Sequence, residues 1–282
     1  MTTEFIFVGT ELLLGNIVNT NAQYLSQKCA ELGLSVYFQE VVGDNEQRLL
    51  ETIQLAKSRS DIIILTGGLG PTEDDLTKET VAKAMNRNLI LDQKALENIQ
   101  HFYSRRKQEI PSNNFKQAEV IEGSKVLYNT DGTAPGMIVE EADLCIILLP
   151  GPPHEMKLMF EEQVFPYLRK KTPVSFFSKM VKISGIGESA AEMLIKDMIE
   201  AQTNPTIAPY AKPSEVNLRI TASATTLDEA KVLIHPVVEE LYKRFGDRIF
   251  TLDEEETLAM VVVRQLRSQG LTLSLAESIT GG

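Results

Sequence analysis

Residues 62–65 read Ile-Ile-Ile-Leu, an uninterrupted aliphatic run that a glycine-rich turn follows at once. A run of this length bounded by turn residues is typical of a central strand in a parallel sheet, because both faces of such a strand are covered. Residues 4–8 and 34–42 also predict strands, and segments with helical periodicity separate the three. The alternation of strand and helix predicts a βαβαβ unit and a parallel sheet.

Capping residues stand where the helical patterns begin and end. We expect Asn19 or Thr20 to cap the first helix and Gly33 to end it. Asp44 is expected to cap the second helix, and Asp92 to begin a later one.

The patterns along the chain predict three parts. Residues 1–170 are expected to form an α/β domain, a three-layer structure with a mostly parallel sheet, and residues 174–251 a small α+β domain with an antiparallel sheet. Residues 255–282 contain a helical pattern and an apolar strand at 271–275, and then the sequence stops. We therefore expect the chain to be cut just inside a third domain.

Composition excludes several classes of function. No apolar run approaches the ~20 residues that a membrane-spanning helix needs, and the N-terminus lacks a signal peptide, so the expected location is the cytoplasm. A net charge of −11 argues against direct binding to nucleic acid or to an anionic membrane. Cys29 and Cys145 both lie in apolar periodic segments and are predicted to be buried free thiols. The three histidines lack zinc-ligand spacing, and neither a nucleophile elbow nor a Walker lysine is present.

The glycine-rich turn after the third strand carries the strongest functional signal. Gly67, Gly68 and Gly70 allow a ligand to approach the backbone, and the helix that follows adds its N-terminal N–H groups. Asp74 and Asp75 would repel a bare phosphate unless a divalent cation lies between them, an arrangement typical of Mg²⁺. The alternative is structural: the glycines form a tight turn and the two acids cap the helix.

Further candidates lie at the ends of neighbouring strands. Glu11 follows the first strand, where it is either a metal or ribose ligand or an ordinary loop acid. We predict Asp75, Asp74 and Glu11 as catalytic residues, with Asp75 and Asp74 as the metal ligands. The predicted phosphate- or nucleotide-binding residues are Thr10, Asn19, Thr66, Gly67, Gly68, Gly70, Thr72, Gly132, Thr133 and Gly151.

Several motifs, taken in order along nearly the whole chain, together resemble the CinA family. They are Val8-Gly9-Thr10-Glu11-Leu12-Leu13-Leu14-Gly15, Asn19-Thr20-Asn21-Ala22, Val42-Gly43-Asp44-Asn45, Thr66-Gly67-Gly68-Leu69-Gly70-Pro71-Thr72-Glu73-Asp74-Asp75, Gly132-Thr133-Ala134-Pro135-Gly136, Leu148-Leu149-Pro150-Gly151-Pro152-Pro153 and Gln202-Thr203-Asn204-Pro205-Thr206-Ile207-Ala208-Pro209-Tyr210.

The resemblance implies a first domain like the molybdopterin-binding MoaB/MogA group, associated with metal-dependent hydrolysis of ADP-ribose to AMP and ribose 5-phosphate. It also implies a small α+β linker domain and a nicotinamide mononucleotide deamidase domain. Ser278 matches the proposed deamidase nucleophile, and Ile279 stands where the family usually has cysteine. The implied cofactor is a divalent metal (Mg²⁺, Mn²⁺ or Co²⁺), with a monovalent cation as an optional further ion. The implied partners are a small nucleotide substrate and a second copy of the chain in a homodimer.

Two other hypotheses stay open at this point. In the first, the crevice binds a nucleotide or a molybdopterin-type ligand without turning it over and so has a regulatory or competence-associated role. In the second, the protein is an assembly or DNA-uptake scaffold, which the acidic charge opposes.

Overall fold

A computed structural model describes residues 1–172, 175–212 and 215–279. The chain divides into two compact units, Met1–Pro173 and Val174–Gly282. Within the described part of the chain, no helix is long and apolar enough to span a membrane.

The first unit alternates strands and helices through its N-terminal half. In chain order its elements are β1 (Thr2–Val8), α1 (Thr10–Leu13), α2 (Thr20–Leu32), β2 (Ser35–Val42), α3 (Glu46–Lys57), β3 (Ile62–Thr66), α4 (Thr77–Ala84), β4 (Leu89–Leu91), α5 (Gln93–Arg105), a 3-10 helix (Ser112–Ala118), β5 (Glu119–Ile121), β6 (Lys125–Leu127), β7 (Gly136–Glu141), β8 (Leu144–Leu149), α6 (Pro153–Met159), a π-helical turn (Phe160–Val164) and α7 (Phe165–Lys171).

The main sheet of this unit has the strand order β2-β1-β3-β8-β7-β6. Strands β2, β1, β3 and β8 are parallel, whereas β7 and β6 run antiparallel at one edge. Strand β3 lies in the middle, where Ile64 pairs with Phe5 of β1 and with Ile147 of β8. The predicted mostly parallel sheet is confirmed.

Successive residues of the central strands point into two separate cores, one on each face of the sheet. Ile63 and Leu65 belong to a core that includes Leu49 and Ile53 of α3 and Val81 of α4. Ile62 and Ile64 belong to the opposite core, which α2, α6 and α7 cover. Two cores around one sheet make the three-layer architecture that the aliphatic run predicted.

Three of the predicted helix-terminus residues are confirmed and one is wrong. Asp92 caps α5 by accepting a hydrogen bond from the amide of Ala95. Asn19 caps α2 by accepting a hydrogen bond from the amide of Ala22, and Gly33 ends the helix in the left-handed conformation. Helix α3, however, is capped by Asn45, whose side chain accepts from the amide of Arg48. The neighbouring Asp44 instead accepts hydrogen bonds from Thr10, because the end of β1 lies beside it.

Two features of the first unit escaped the sequence patterns. Strands β4 and β5 form a separate antiparallel pair, and the helix after residue 152 contains the π-helical turn between α6 and α7. Pro166 lies just beyond that turn; proline has no N–H and its ring crowds the carbonyl four residues earlier, which favours a widened turn.

The second unit contains β9 (Ser175–Ser184), α8 (Glu188–Ala201), β10 (Thr206–Lys212), β11 (Glu215–Ala224), α9 (Leu227–Phe245), β12 (Ile249–Thr251) and α10 (Leu258–Ser268). Its antiparallel sheet has the order β10-β11-β9-β12 and packs one face against α8 and α9. The predicted small α+β domain is therefore confirmed.

The strand predicted at residues 271–275 is wrong. These residues have no regular secondary structure, and their leucine side chains are exposed. No described strand pairs with them, and a lone strand leaves its backbone polar groups without partners.

Both cysteines are buried free thiols, as predicted. Burial raises the pKa of the Cys29 thiol to about 12, and it also raises the pKa of Cys145, whose Sγ lies 3.5 Å from the hydroxyl of Tyr167. Both thiols therefore remain protonated at neutral pH, and a protonated thiol is a poor nucleophile.

We accordingly expect neither cysteine to react with a thiol-specific disulfide reagent at pH 8 while the protein is folded. Full reaction of two thiols is expected once a denaturant unfolds the chain. The measurement is the absorbance of released aromatic thiolate with and without denaturant. Rapid labelling of the folded protein would show that the core covered by α2, α6 and α7, which contains both cysteines, is open to solvent.

Candidate functional site

A cleft of about 580 Å³ opens at the carboxyl ends of β1, β3 and β8. Its lining residues come from segments 8–21, 66–75, 133–134 and 150–155, together with Asp44 and Gln117. In open α/β sheets this edge is where ligands bind, because the strand ends and helix starts meet there. The cleft lies wholly within the first unit.

The floor of the cleft is backbone; it has no room for a side chain at Gly67, and the space at Gly151 is tight. A Cβ on Gly67 would lie 2.1 Å from the carbonyl oxygen of Val8, and one on Gly151 would lie 3.3 Å from the Cα of Gly67. Gly67 has a φ of +98°, a conformation that glycine adopts without steric cost. Its amide donates to the carbonyl of Leu149 at 3.1 Å, which ties β3 to β8 at the cleft.

Thr77, the first residue of α4, stabilises the glycine-rich turn through two hydrogen bonds. Its hydroxyl donates to the carbonyl of Gly67 at 2.8 Å, and its amide donates to the carbonyl of Gly68 at 3.1 Å. Within residues 1–172, 175–212 and 215–279, the amides of Gly68 and Gly70 donate to no protein acceptor. Unpaired amides on a glycine turn that leads into a helix are suited to hold an anion.

Asp74 and Asp75 lie on one side of the cleft and share a partner. The single hydroxyl hydrogen of Thr72 is shared between the two carboxylates, and Asp75 also accepts from the Thr72 amide at 2.9 Å. Helix α4 has no side-chain cap, so the interpretation of these acids as helix caps is wrong. The Thr72 hydroxyl bond, then the backbone amide of Asp74 and the charge of Lys116, lower the pKa of the Asp74 carboxyl, which therefore stays ionised at neutral pH.

The lining of the cleft is acidic. No lysine, arginine or histidine in the described part of the chain lines it. Its carboxylates are Glu11, Asp44, Asp74, Asp75 and Glu155.

Asp74 and Asp75 suit a hard divalent cation. Among the described residues there is no group of three or more His, Cys, Asp or Glu side chains that could form a protein cage around a metal. Mg²⁺ does not require one, since it is commonly held by one or two carboxylates, by substrate phosphates and by water. Two carboxylates that share one hydroxyl donor, next to free amides, fit that mode of binding.

The structure brings most of the predicted site residues together. Glu11, Asp74 and Asp75 line the cleft, as do Asn19, Thr66, Gly67, Gly68, Gly70, Thr133 and Gly151.

Thr10, Thr72 and Gly132 do not line the cleft. Thr10 is bonded to Asp44, and Thr72 to the two aspartates. The amide of Gly132 donates to the side chain of Asn129 at 2.8 Å. Their hydrogen-bonding groups are used within the protein, so these three residues shape the loops around the site.

Ser278 lies in the second unit, in the segment that follows α10. Its side chain is exposed, and its amide donates to the carboxylate of Glu277 at 3.1 Å.

Other residues that line the cleft were not among the predicted site residues. Asn21 donates to the carbonyl of Gly151 at 2.8 Å, and Gln117 donates to the carbonyl of Leu69 at 3.2 Å. Asn21 belongs to an asparagine-rich turn that could have indicated its role, whereas Gln117 lies in a region without a clear pattern. Ile17 and Val18 also line the cleft. Two adjacent apolar residues in a predicted loop after the first strand could have indicated a role in ligand binding.

The first unit belongs to a known family of α/β domains. A family model described as "Probable molybdopterin binding domain" matches residues 4–170. A second, described as "Damage-inducible protein CinA KH domain", matches residues 178–251.

The whole chain is also similar to known proteins. A "CinA-like protein" from Dictyoglomus turgidum is 53% identical over 282 residues, which are 100% of this chain and 68% of the relative. The corresponding protein of Dictyoglomus thermophilum is 52% identical over the same coverage. The crystal structure of the protein CinA, of unknown function, from Thermoplasma acidophilum is 33% identical to this chain with a TM-score of 0.53; the match covers 57% of this chain and 94% of that one. The chain belongs to the CinA family.

We expect Gly67→Ala to destabilise the fold by more than a left-handed conformation alone would cost. Alanine at this position would collide with the Val8 carbonyl in addition to adopting an unfavourable φ. The control is Gly15→Ala, since Gly15 has a φ of +71° but nothing within 4 Å of its Cβ position. In urea unfolding, the control should lose about 1–2 kcal/mol, and Gly67→Ala about 1–3 kcal/mol more. Equal losses would contradict the close approach of β1 and β3.

Lys116 is expected to stabilise the acidic loop, residues 70–76, which contains Asp74 and Asp75. Its ammonium donates to the backbone carbonyls of Thr72, at 3.1 Å, and Asp75, at 2.5 Å, and it pairs with Glu79 at 3.4 Å. In Lys116→Met the stem stays apolar while these charged hydrogen bonds, worth about 1.5–3 kcal/mol each, are lost.

Hydrogen exchange read by mass spectrometry should therefore be at least about tenfold faster at residues 70–76 of Lys116→Met. The control is Lys83→Met, which removes an exposed lysine paired with Glu46 on α3 and should leave this loop unchanged. Unaltered exchange in Lys116→Met would show that the loop does not depend on Lys116.

Proposed function

We propose that the first unit is a divalent-metal-dependent hydrolase that cleaves the pyrophosphate of ADP-ribose or a related nucleotide. The observation that carries the proposal is that glycine amides without a protein acceptor lie in the same acidic cleft as the side chains of Asp74 and Asp75. An anionic ligand held by the amides of Gly68 and Gly70 lies in a field of five carboxylates. A cation at Asp74 and Asp75 removes that repulsion, and a pyrophosphate is an anion that such a cation also activates.

Each element of the cleft has a separate task in this reaction. The backbone of residues 67–70 binds and orients the phosphates, with no side chain between the ligand and the sheet. Asp74 and Asp75 would hold the cation, and the hydroxyl of Thr72, which lies between the two carboxylates, orients them. When bound, Mg²⁺, Mn²⁺ or Co²⁺ would supply charge neutralisation and Lewis acidity. Addition of one water to ADP-ribose gives AMP and ribose 5-phosphate.

Glu11 is the proposed acid–base residue of the site. It lines the cleft at the end of β1, and its carboxylate folds back so closely that a Cβ on Gly9 would lie 2.6 Å from Glu11 Oε1. A carboxylate in this position is suited to accept a proton from an attacking water. Deamidation of nicotinamide mononucleotide through Ser278 is proposed only together with the partner groups of a complete deamidase domain.

We expect Asp75→Asn to reduce metal-dependent AMP release by on the order of 100-fold or more, since changes around metal ligands cost 10–100-fold even in their supporting residues. Asparagine keeps an oxygen that can accept from Thr72, so the loop is preserved while the charge is lost. The measurement is AMP formed from ADP-ribose with Mg²⁺, Mn²⁺, Co²⁺ or a chelator.

The matched control is Glu73→Gln, because Glu73 belongs to the same loop, carries the same charge and does not line the cleft. It should release AMP at the rate of the unsubstituted chain. Thermal unfolding of both variants checks that the fold persists. Unchanged turnover in Asp75→Asn would contradict the assignment of Asp75 as a metal ligand.

The alternative function is a binding module that retains a nucleotide or a molybdopterin-type ligand without cleaving it. The match of residues 4–170 to a molybdopterin-binding domain favours it. Isothermal titration with AMP and ADP-ribose separates the two functions. Tight binding with no AMP release under any of the three metals would support the module and overturn the hydrolase.

A further inference from the structure

The wall of the cleft formed by the loop after α1 is apolar. Ile17 and Val18 both line the cleft, yet they are 53% and 82% exposed. Leu12 lines the same wall and packs against the core beneath α2. Adjacent β-branched side chains exposed at the mouth of a polar cleft are costly in water unless a ligand covers them.

The apolar wall and the acidic wall approach the cleft from opposite faces of the sheet. The loop with Ile17 and Val18 leads into α2, which packs in the core shared with α6 and α7. The loop with Asp74 and Asp75 leads into α4, which packs in the core on the other face. The glycine floor at residues 67 and 151 lies between them. A ligand on this floor therefore has the loop with Asp74 and Asp75 on one side and the loop with Ile17 and Val18 on the other.

Hydrogen bonds define the backbone conformation of the loop that contains Ile17 and Val18. The amide of Asn16 donates to the carbonyl of Glu11 at 3.0 Å, and Gly15 turns the chain with a φ of +71°. The amide of Thr20 donates to the carbonyl of Val18 at 2.8 Å, and Asn19 caps the helix that follows. These bonds fix the backbone on both sides of Ile17, so the side chains are held where a ligand would meet them.

We propose that Ile17 and Val18 are the specificity wall of this site and pack against the planar heterocycle of a phosphorylated ligand, a nucleobase or a pterin. This inference rests on the proposed function, because it places the phosphate of the same ligand on the glycine floor. Aliphatic side chains make no hydrogen bonds to sugar hydroxyls, whereas they cover the face of a flat ring and remove it from water. The wall therefore discriminates ring-bearing phosphates from simple sugar phosphates.

The test is equilibrium binding of AMP, a pterin monophosphate and ribose 5-phosphate, each with Mg²⁺, by titration calorimetry. The variant is Ile17→Ser/Val18→Ser in the full chain. AMP affinity should fall about tenfold, the factor that roughly 50–60 Å² of lost apolar contact gives, while ribose 5-phosphate affinity stays the same. A pterin monophosphate that shows the larger loss would identify the pterin as the ring that the wall fits.

The matched control is Leu14→Ser. Leu14 is 69% exposed in the same loop but does not line the cleft, so its variant should bind all three ligands as the unsubstituted chain does. The inference is overturned if the double variant loses no AMP affinity, if ribose 5-phosphate binding falls by the same factor, or if Leu14→Ser has an equal effect.

Two further results would also overturn it. One is a change of oligomeric state in the double variant, measured by light scattering, since it would show that the loop contacts a second copy of the chain. The other is a failure of the unsubstituted chain to bind either ring-bearing ligand. This test measures binding, not turnover. If the unsubstituted chain releases no AMP from ADP-ribose, the proposed hydrolase is contradicted, but the binding test of Ile17 and Val18 still decides this inference.

Discussion

The contact on which the site depends is the approach of Gly67 to the end of β1. Strands β1, β3 and β8 are parallel neighbours, so their carboxyl ends meet at one edge. At that edge the Cα of Gly67 lies so close to the Val8 carbonyl that a side chain has no place. Because nothing projects from this point, the floor of the cleft is bare backbone. Thr77 donates hydrogen bonds to the carbonyls of Gly67 and Gly68. The amides of Gly68 and Gly70 then remain available to a ligand.

The charge of the cleft sets a second condition on what can bind. Five carboxylates surround the amides that are suited to an anion, and the Thr72 hydroxyl bond keeps the pKa of Asp74 below its ordinary value. Protonation near neutral pH therefore does not relieve the repulsion of this carboxylate. An anion in this cleft is therefore subject to repulsion, which the divalent cation of the proposed function would offset.

The sequence predicted the elements that local patterns determine and failed where distant partners decide. The aliphatic run at residues 62–65 determined the central strand, and Asn19 with Gly33 determined α2. Asp44 and Asn45 are equally good caps by type; the proximity of Thr10, brought by β1, decided between them. The contact with Asp44 also explains why the prediction for Thr10 failed. Its hydroxyl could bind phosphate, but it already donates to the Asp44 carboxylate. Strands β4 and β5 pair across a long stretch of chain, and no local pattern contains that information.

The positive charges that balance the acidic loop lie behind it, outside the cleft. Lys116 reaches from the 3-10 helix to the carbonyls of Thr72 and Asp75, and it does not line the cleft. Lys78 is 4% exposed and donates to the carbonyls of Lys116 and Glu119, and burial lowers the pKa of its ammonium. Lys116 binds carbonyl oxygens of Thr72 and Asp75, whereas Lys78 binds those of Lys116 and Glu119, so neither lysine contacts the carboxylate of Asp74 or Asp75. Neither lysine adds positive charge to the lining of the cleft, which therefore stays acidic.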